Sequence, residues 1–173
     1  MSWRGGGGTA VLVLTLAVAG AGCGGGKAPS SAQSRSHVAS LPSGTLPSSL
    51  GDLTVQQEQL PSQIRSATSS YAKAVGFYSL RKNKLVEGTL EVVEFNSSAD
   101  WASPTFRTAV ADQVSGGVPD ELTLAGHAVY QSPGTGATLD AWFSGRYLFV
   151  LTIRSSYSQP RSLTESALEM QLG

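Results

Sequence analysis

Alternating apolar and polar positions predict a β-sheet in the second half of the chain. In the stretch 85–95, alternate residues such as Leu90 and Val92 are apolar, whereas Glu87 and Glu91 occupy the other set of alternate positions. A period of two is typical of an antiparallel strand with one buried and one solvated face. The outer positions become apolar towards the end of this stretch, which predicts a bulge or a covering helix there.

Further stretches have the length and the β-branched or aromatic content of strands. The stretch 146–153 is apolar at nearly every position, which is typical of a central strand covered on both faces. The sequence predicts five strands in addition to the one at 85–95, over residues 76–81, 121–124, 127–131, 137–144 and 146–153.

Apolar spacing and capping residues predict helices between and after these strands. Either Ser103, which precedes Pro104, or the serine pair at 97–98 caps the first helix, and the glycine pair at 116–117 ends it. Pro160 opens the last helix. We therefore expect an α+β domain, an antiparallel sheet of about five or six strands with two or three helices packed on one face.

The first 22 residues have the pattern of an export signal. Arg4 supplies a positive charge, residues 10–19 form an apolar run broken only by Thr15, and small residues precede Cys23. A membrane-spanning helix needs about 20 apolar residues, so this run is too short to span. We interpret residues 1–22 as a cleaved signal peptide.

The end of this segment resembles the lipobox of bacterial lipoproteins, in which leucine and two small residues precede a cysteine. Ala21, Gly22 and Cys23 match it, and Gly20 stands where an aliphatic residue is usual. The resemblance implies a diacylglycerol on the Cys23 sulfur and an acyl chain such as palmitate on its amino group. Two or more chains anchor stably, at the extracytoplasmic face of the cell membrane. The alternative is an ordinary secretory signal with a stray cysteine.

Low complexity after the cysteine predicts a flexible tether over residues 23–50. Gly, Ser, Pro and Ala dominate there and no aromatic residue occurs. Such a chain reaches roughly 30 Å, and a single folded domain follows over residues 51–173. The lipobox, the tether and the excess of Arg (eight) over Lys (four) resemble small lipoproteins of high-GC Gram-positive bacteria. That resemblance implies no activity.

Charge and cysteine content narrow the function classes. The chain carries 12 basic and 12 acidic residues, and this balance argues against a nucleic-acid partner, which normally needs a basic face. One cysteine leaves no internal disulfide and no cysteine-rich metal site. We therefore expect no metal and no cofactor.

Catalytic motifs are scarce. The predicted domain has one histidine, His127, and no G-x-S-x-G sequence. We expect a protein that is not an enzyme. A small envelope enzyme with a site near His127, or a purely structural envelope protein, remain the alternatives.

Aromatic residues on adjacent predicted strands are the remaining candidates for a binding role. Trp142, Tyr147 and Tyr130, with Arg146, form either core packing or an exposed patch for a partner or ligand. An anchored domain with such a patch would bind an envelope protein, the cell wall or a lipid. We therefore expect a surface-exposed lipoprotein with a non-catalytic binding domain.

Overall fold

A computed structural model describes residues 38–60, 71–170 and 172, which form one nine-stranded sheet and two helices. The helices are α1 (Pro104–Ser115) and α2 (Pro160–Leu168). The strands are β1 (Ala39–Ser40), β2 (Ser49–Leu50), β3 (Leu53–Gln57), β4 (Ala72–Lys82), β5 (Leu85–Phe95), β6 (Asp120–Leu124), β7 (His127–Pro133), β8 (Ala137–Ser144) and β9 (Tyr147–Arg154).

The sheet is open, and its strands lie in the order β2-β3-β4-β5-β9-β8-β7-β6, each pair antiparallel. β3 pairs with β4 from Tyr78 to Arg81. β1 pairs in parallel with β4 at Ala74 and Val75. β1 therefore extends the sheet beside the first half of β4, where β3 does not reach.

All six predicted strands are present, with ends shifted by a few residues. The predicted count of five or six is nevertheless too low, because β1, β2 and β3 enlarge the sheet. β1 and β2 are two residues each, too short for a periodic pattern, and β3 (LTVQQ) mixes apolar and polar residues.

Helix α1 begins and ends at the predicted signals. The Ser103 hydroxyl accepts a hydrogen bond from the Phe106 N–H, Pro104 occupies the first helical position, and Gly116 ends the helix with φ +71°. Its buried residues Val110 and Val114 join a cluster on one face of the sheet. The apolar outer positions of β5 belong to the same cluster, so the predicted covering helix is present, and the register of β4 with β5 also shifts there, between Ala72 and Ala74.

Helix α2 covers the opposite face. Leu163, Ala167 and Leu168 are buried in a second cluster with Trp142 and Phe149, which does not contain the residues of α1. The expectation that the helices share one face is therefore wrong. A strand alternates its side chains between the two faces, and β9 carries apolar residues at both, so each face needs its own cover.

Residues 38–50 belong to the folded domain, so the expectation that the tether extends to residue 50 is wrong. Val38, Leu41, Leu46 and Leu50 are buried in the two apolar clusters. Four isolated apolar residues among Ser, Pro and Gly contribute little to average composition, so a composition argument overlooks them.

No helix within the described ranges is long and apolar enough to cross a bilayer.

Candidate functional site

A small cavity lies between the strands β6 to β8 and the first turn of α2. Its volume is about 290 Å³. Leu122 and Leu124 supply an apolar wall, and Gln131, Thr138 and Asp140 supply polar groups. Binding pockets for small molecules combine an apolar surface with a few placed polar groups, as this cavity does.

Asp140 is the charged group of this cavity that is held most firmly. Asp140 is only 3% exposed to solvent. Gln131 Nε2 donates to its Oδ1 at 2.8 Å, and the Thr164 hydroxyl donates to its Oδ2 at 2.5 Å. The hydroxyl has one proton, which the shorter contact takes; its 3.2 Å contact with the Pro160 carbonyl is secondary. These two bonds fix the orientation of the carboxylate.

The sequence around α2 explains how Thr164 reaches Asp140. Pro160 opens the helix, and the apolar residues Leu163 and Ala167 turn one side towards the sheet. Thr164 lies beside them and is fully buried. Its hydrogen bond therefore joins the first turns of α2 to β8.

A second, shallower groove lies beside the end of β3. It has a volume of about 630 Å³ and a mostly polar lining that includes Ser40, Ser43 and Glu58. Ser79 donates a hydrogen bond to Glu58 at 2.7 Å, and Arg81 forms an ion pair with it at 3.2 Å. The Ser79 hydrogen bond, helped by Arg81, holds the pKa of Glu58 below its usual range. Glu58 therefore remains ionised at neutral pH.

Two further carboxylates lie on β5 and face opposite sides of the sheet. Glu94 is buried and forms ion pairs with Lys73 at 2.8 Å and Arg146 at 3.0 Å. Glu91 is half-buried between Phe77 and Val150, its partners on the two neighbouring strands. Burial raises the pKa of Glu91 to about 7. The solvated face expected from the alternation in β5 is therefore partly covered.

The four residues of the predicted patch do not form one surface. Trp142 is 2% exposed and stacks on Phe149 with ring centroids 5.1 Å apart, so it is a core residue. Tyr147 packs against the same cluster, whereas Tyr130 packs against the cluster on the other face. Arg146 is exposed and lies 5.6 Å from the Tyr147 ring centroid. Only Tyr147 and Arg146 are neighbours at the surface.

The other predicted residues are not among those that line the cavity, although His127 pairs across the strands with the lining residue Leu124. His127 is exposed and follows the turn at Ala125 and Gly126, both of which have positive φ. Among the described residues, no group of three or more His, Cys, Asp or Glu side chains could hold a metal ion. Cys23 lies outside the described residues.

Sequence reasoning missed Asp140, Gln131 and Thr164. A signal for Asp140 was present, because it shares the alternating face of β8 with Trp142 and is therefore a charge on a core-facing side. Gln131 and Thr164 carried no comparable signal, since polar residues in strands and helices are common. No protein-family model, curated protein or solved structure matches this chain.

Proposed function

We propose that this protein is a lipid-anchored binding protein of the bacterial envelope, attached through Cys23 and carrying a non-catalytic domain on the extracytoplasmic side. The lipobox-like pattern at residues 20–23 motivates the anchor. The domain is expected to bind a partner or ligand of the envelope rather than to transform it.

The burial of Thr164 is the observation that carries the non-catalytic part of the proposal. A hydroxyl nucleophile needs an adjacent base, and Thr164 with Asp140 is such a pair at 2.5 Å. Thr164 is fully buried, however, so an electrophilic substrate has no access to its oxygen. The pair therefore acts as a structural link, and the cavity beside it offers a surface for binding.

The small number of residues between Cys23 and the folded domain supports a short attachment. Val38 is the first described residue and is already buried, so residues 24–37 connect it to the cysteine. Fourteen residues span at most about 50 Å when fully extended. A domain on this connection would remain close to the membrane surface.

Intact-mass analysis of protein from a bacterial host that processes lipoproteins tests the anchor. We expect a chain that begins at Cys23, with added mass for a diacylglycerol and an acyl chain, in the membrane fraction. The variant Cys23→Ala should lose this mass and leave the membrane fraction. An unmodified wild-type chain that still begins at Met1, or that is free in the medium, would contradict the proposal.

His127→Ala is the matched control and addresses the enzyme alternative. It should be processed and retained like the wild type, because His127 is exposed and far along the chain from Cys23. An unchanged cellular phenotype would also be expected. Loss of cellular function in a folded, correctly located His127→Ala protein would favour an envelope enzyme instead.

A further inference from the structure

Asp140 is a buried charge without a charged partner. Its two hydrogen-bond donors, Gln131 and Thr164, are neutral. Within the described ranges, Asp140 takes part in none of the ion pairs. Removing a carboxylate from water is costly unless other charges or donors compensate for the lost hydration. A cation in the adjoining cavity would supply the compensation that the fold leaves incomplete.

The carboxylate retains acceptor capacity for such a cation. An ionised carboxylate has about four lone-pair sites on its two oxygens, and the protein fills one site on each oxygen. Asp140 is also one of the residues that line the cavity, which places it beside the open space. A donor placed in the cavity would therefore add to the existing bonds rather than replace them.

The other charges around the cavity favour a cation over an anion. Arg161 lies at the cavity, but its Nε is paired with Glu165 Oε1 at 3.1 Å, one helical turn along α2. Asp120 is on β6 opposite Gln131, on the same face of the sheet as Asp140. Glu165 offsets the positive charge of Arg161, which leaves Asp140 as the unpaired charge of the lining; Asp120 is exposed and is not a lining residue.

Size and lining define the rest of the ligand. A cavity of about 290 Å³ is at the lower end of the range for small-molecule sites. Leu122 and Leu124 provide apolar contact beside the carboxylate. We propose that this cavity binds a small organic cation, a primary ammonium group with a short apolar chain, with Asp140 as its counter-ion. The inference deepens the proposed binding role and does not depend on the anchor at Cys23.

Titration of the full-length protein in detergent with n-pentylamine at pH 7, followed by amide NMR shifts, tests this site. Shifts should concentrate at Leu124, Gln131 and Thr138. Pentan-1-ol has the same chain without the charge, and it should bind at least tenfold more weakly. If the alcohol binds as well as the amine, the cavity recognises only an apolar chain and the proposal is wrong.

Asp140→Asn is the decisive variant, because an amide can keep both neighbours hydrogen-bonded while it removes the charge. It should weaken amine binding at least tenfold. Asp120→Asn, which removes an exposed carboxylate of the same face, should change binding less than twofold. Equal losses in the two variants would indicate unspecific attraction and overturn the proposal.

The comparison of amine with alcohol uses the wild-type protein, so it remains decisive if Asp140→Asn does not fold. Absence of amine binding would remove this site but leave the anchored protein of the proposed function intact. Conversely, an unmodified Cys23 would remove the anchor and leave the amine site unaffected. The two measurements therefore separate the two proposals.

Discussion

Two carboxylates of the sheet show how the surrounding groups determine the free-energy cost of burying a charge. Asp140 receives hydrogen bonds on both oxygens, whereas Glu91 is flanked by the apolar side chains of Phe77 and Val150. Burial favours the neutral form of Glu91 and raises its pKa to about 7, while the unfolded chain would have a value near 4.5. The nearby Glu91 also contributes to the raised pKa of Tyr71, for which burial is the larger cause.

The Glu91 shift predicts a pH-dependent stability. The folded state binds the Glu91 proton more tightly than the unfolded state does, so this favourable contribution is complete below about pH 4.5 and is lost as pH rises through 7. Glu91→Gln removes the ionisation. We expect the variant to be about 1–3 kcal/mol more stable than wild type at pH 8 and nearly equal to it at pH 4.

Urea denaturation of both proteins at pH 4, 6 and 8 measures this difference. The comparison at pH 4 is the internal control, because both side chains are then neutral. A stability difference that stays constant across the three pH values would contradict the burial of an ionisable Glu91.

At the scale of elements, each face of the sheet has its own helix. Val110 of α1 and Leu163 of α2 lie in separate apolar clusters with the sheet between them. Side chains without shared contacts contribute independently to stability, whereas neighbours that share a cavity are coupled. The two-layer arrangement predicted from the sequence would instead have placed both helices in one cluster.

The double variant Val110→Ala with Leu163→Ala tests this separation. Loss of buried methyl groups should cost about 1–3 kcal/mol at Val110 and about 2–4 kcal/mol at Leu163. The two costs should add to within about 0.5 kcal/mol in the double variant. Equilibrium denaturation of the four proteins gives the coupling energy, and a value above about 1 kcal/mol would show that the helices share one core.

The strands with long periodic patterns and the need to cover them could be predicted, but the face on which each helix packs could not. Alternation in β5 and the apolar character of β9 identify strands because they persist over eight or more residues. The face to which a helix returns depends on the connection, and neither α1 nor α2 carries a sequence signal for that choice. The site depends on the same long-range arrangement, since Thr164 and Asp140 are 24 residues apart.

At the scale of the whole molecule, residues 38–50 act as part of the domain. Leu41 is buried against the β4 segment that contains Gly76, and its N–H donates to the Val75 carbonyl at 3.0 Å. Gln57 Nε2 donates to the Leu41 carbonyl at 3.0 Å. These contacts hold the start of the described chain on the sheet.

Leu41→Asp distinguishes this arrangement from a solvated tether. A charge at this buried position should lower the free energy of unfolding by about 3 kcal/mol or more, or the melting temperature by about 10 °C. Ser43→Asp, two residues later and exposed, should change it by less than about 0.5 kcal/mol. Thermal unfolding followed by circular dichroism measures both, and equal melting temperatures would show that Leu41 is not in the core.

The parallel pairing of β1 with β4 fixes the end of the sheet at which the described chain begins. β1 runs alongside β4, so the chain enters at the end of the sheet where β4 begins and where Arg146 contacts the end of β5. Under the proposed anchor at Cys23, that end of the sheet is the one joined to the lipid by the shorter length of chain. The hairpin turn at Asn83 lies at the opposite end of β4. Labels placed at residues 83 and 145 would therefore report different depths from the headgroups.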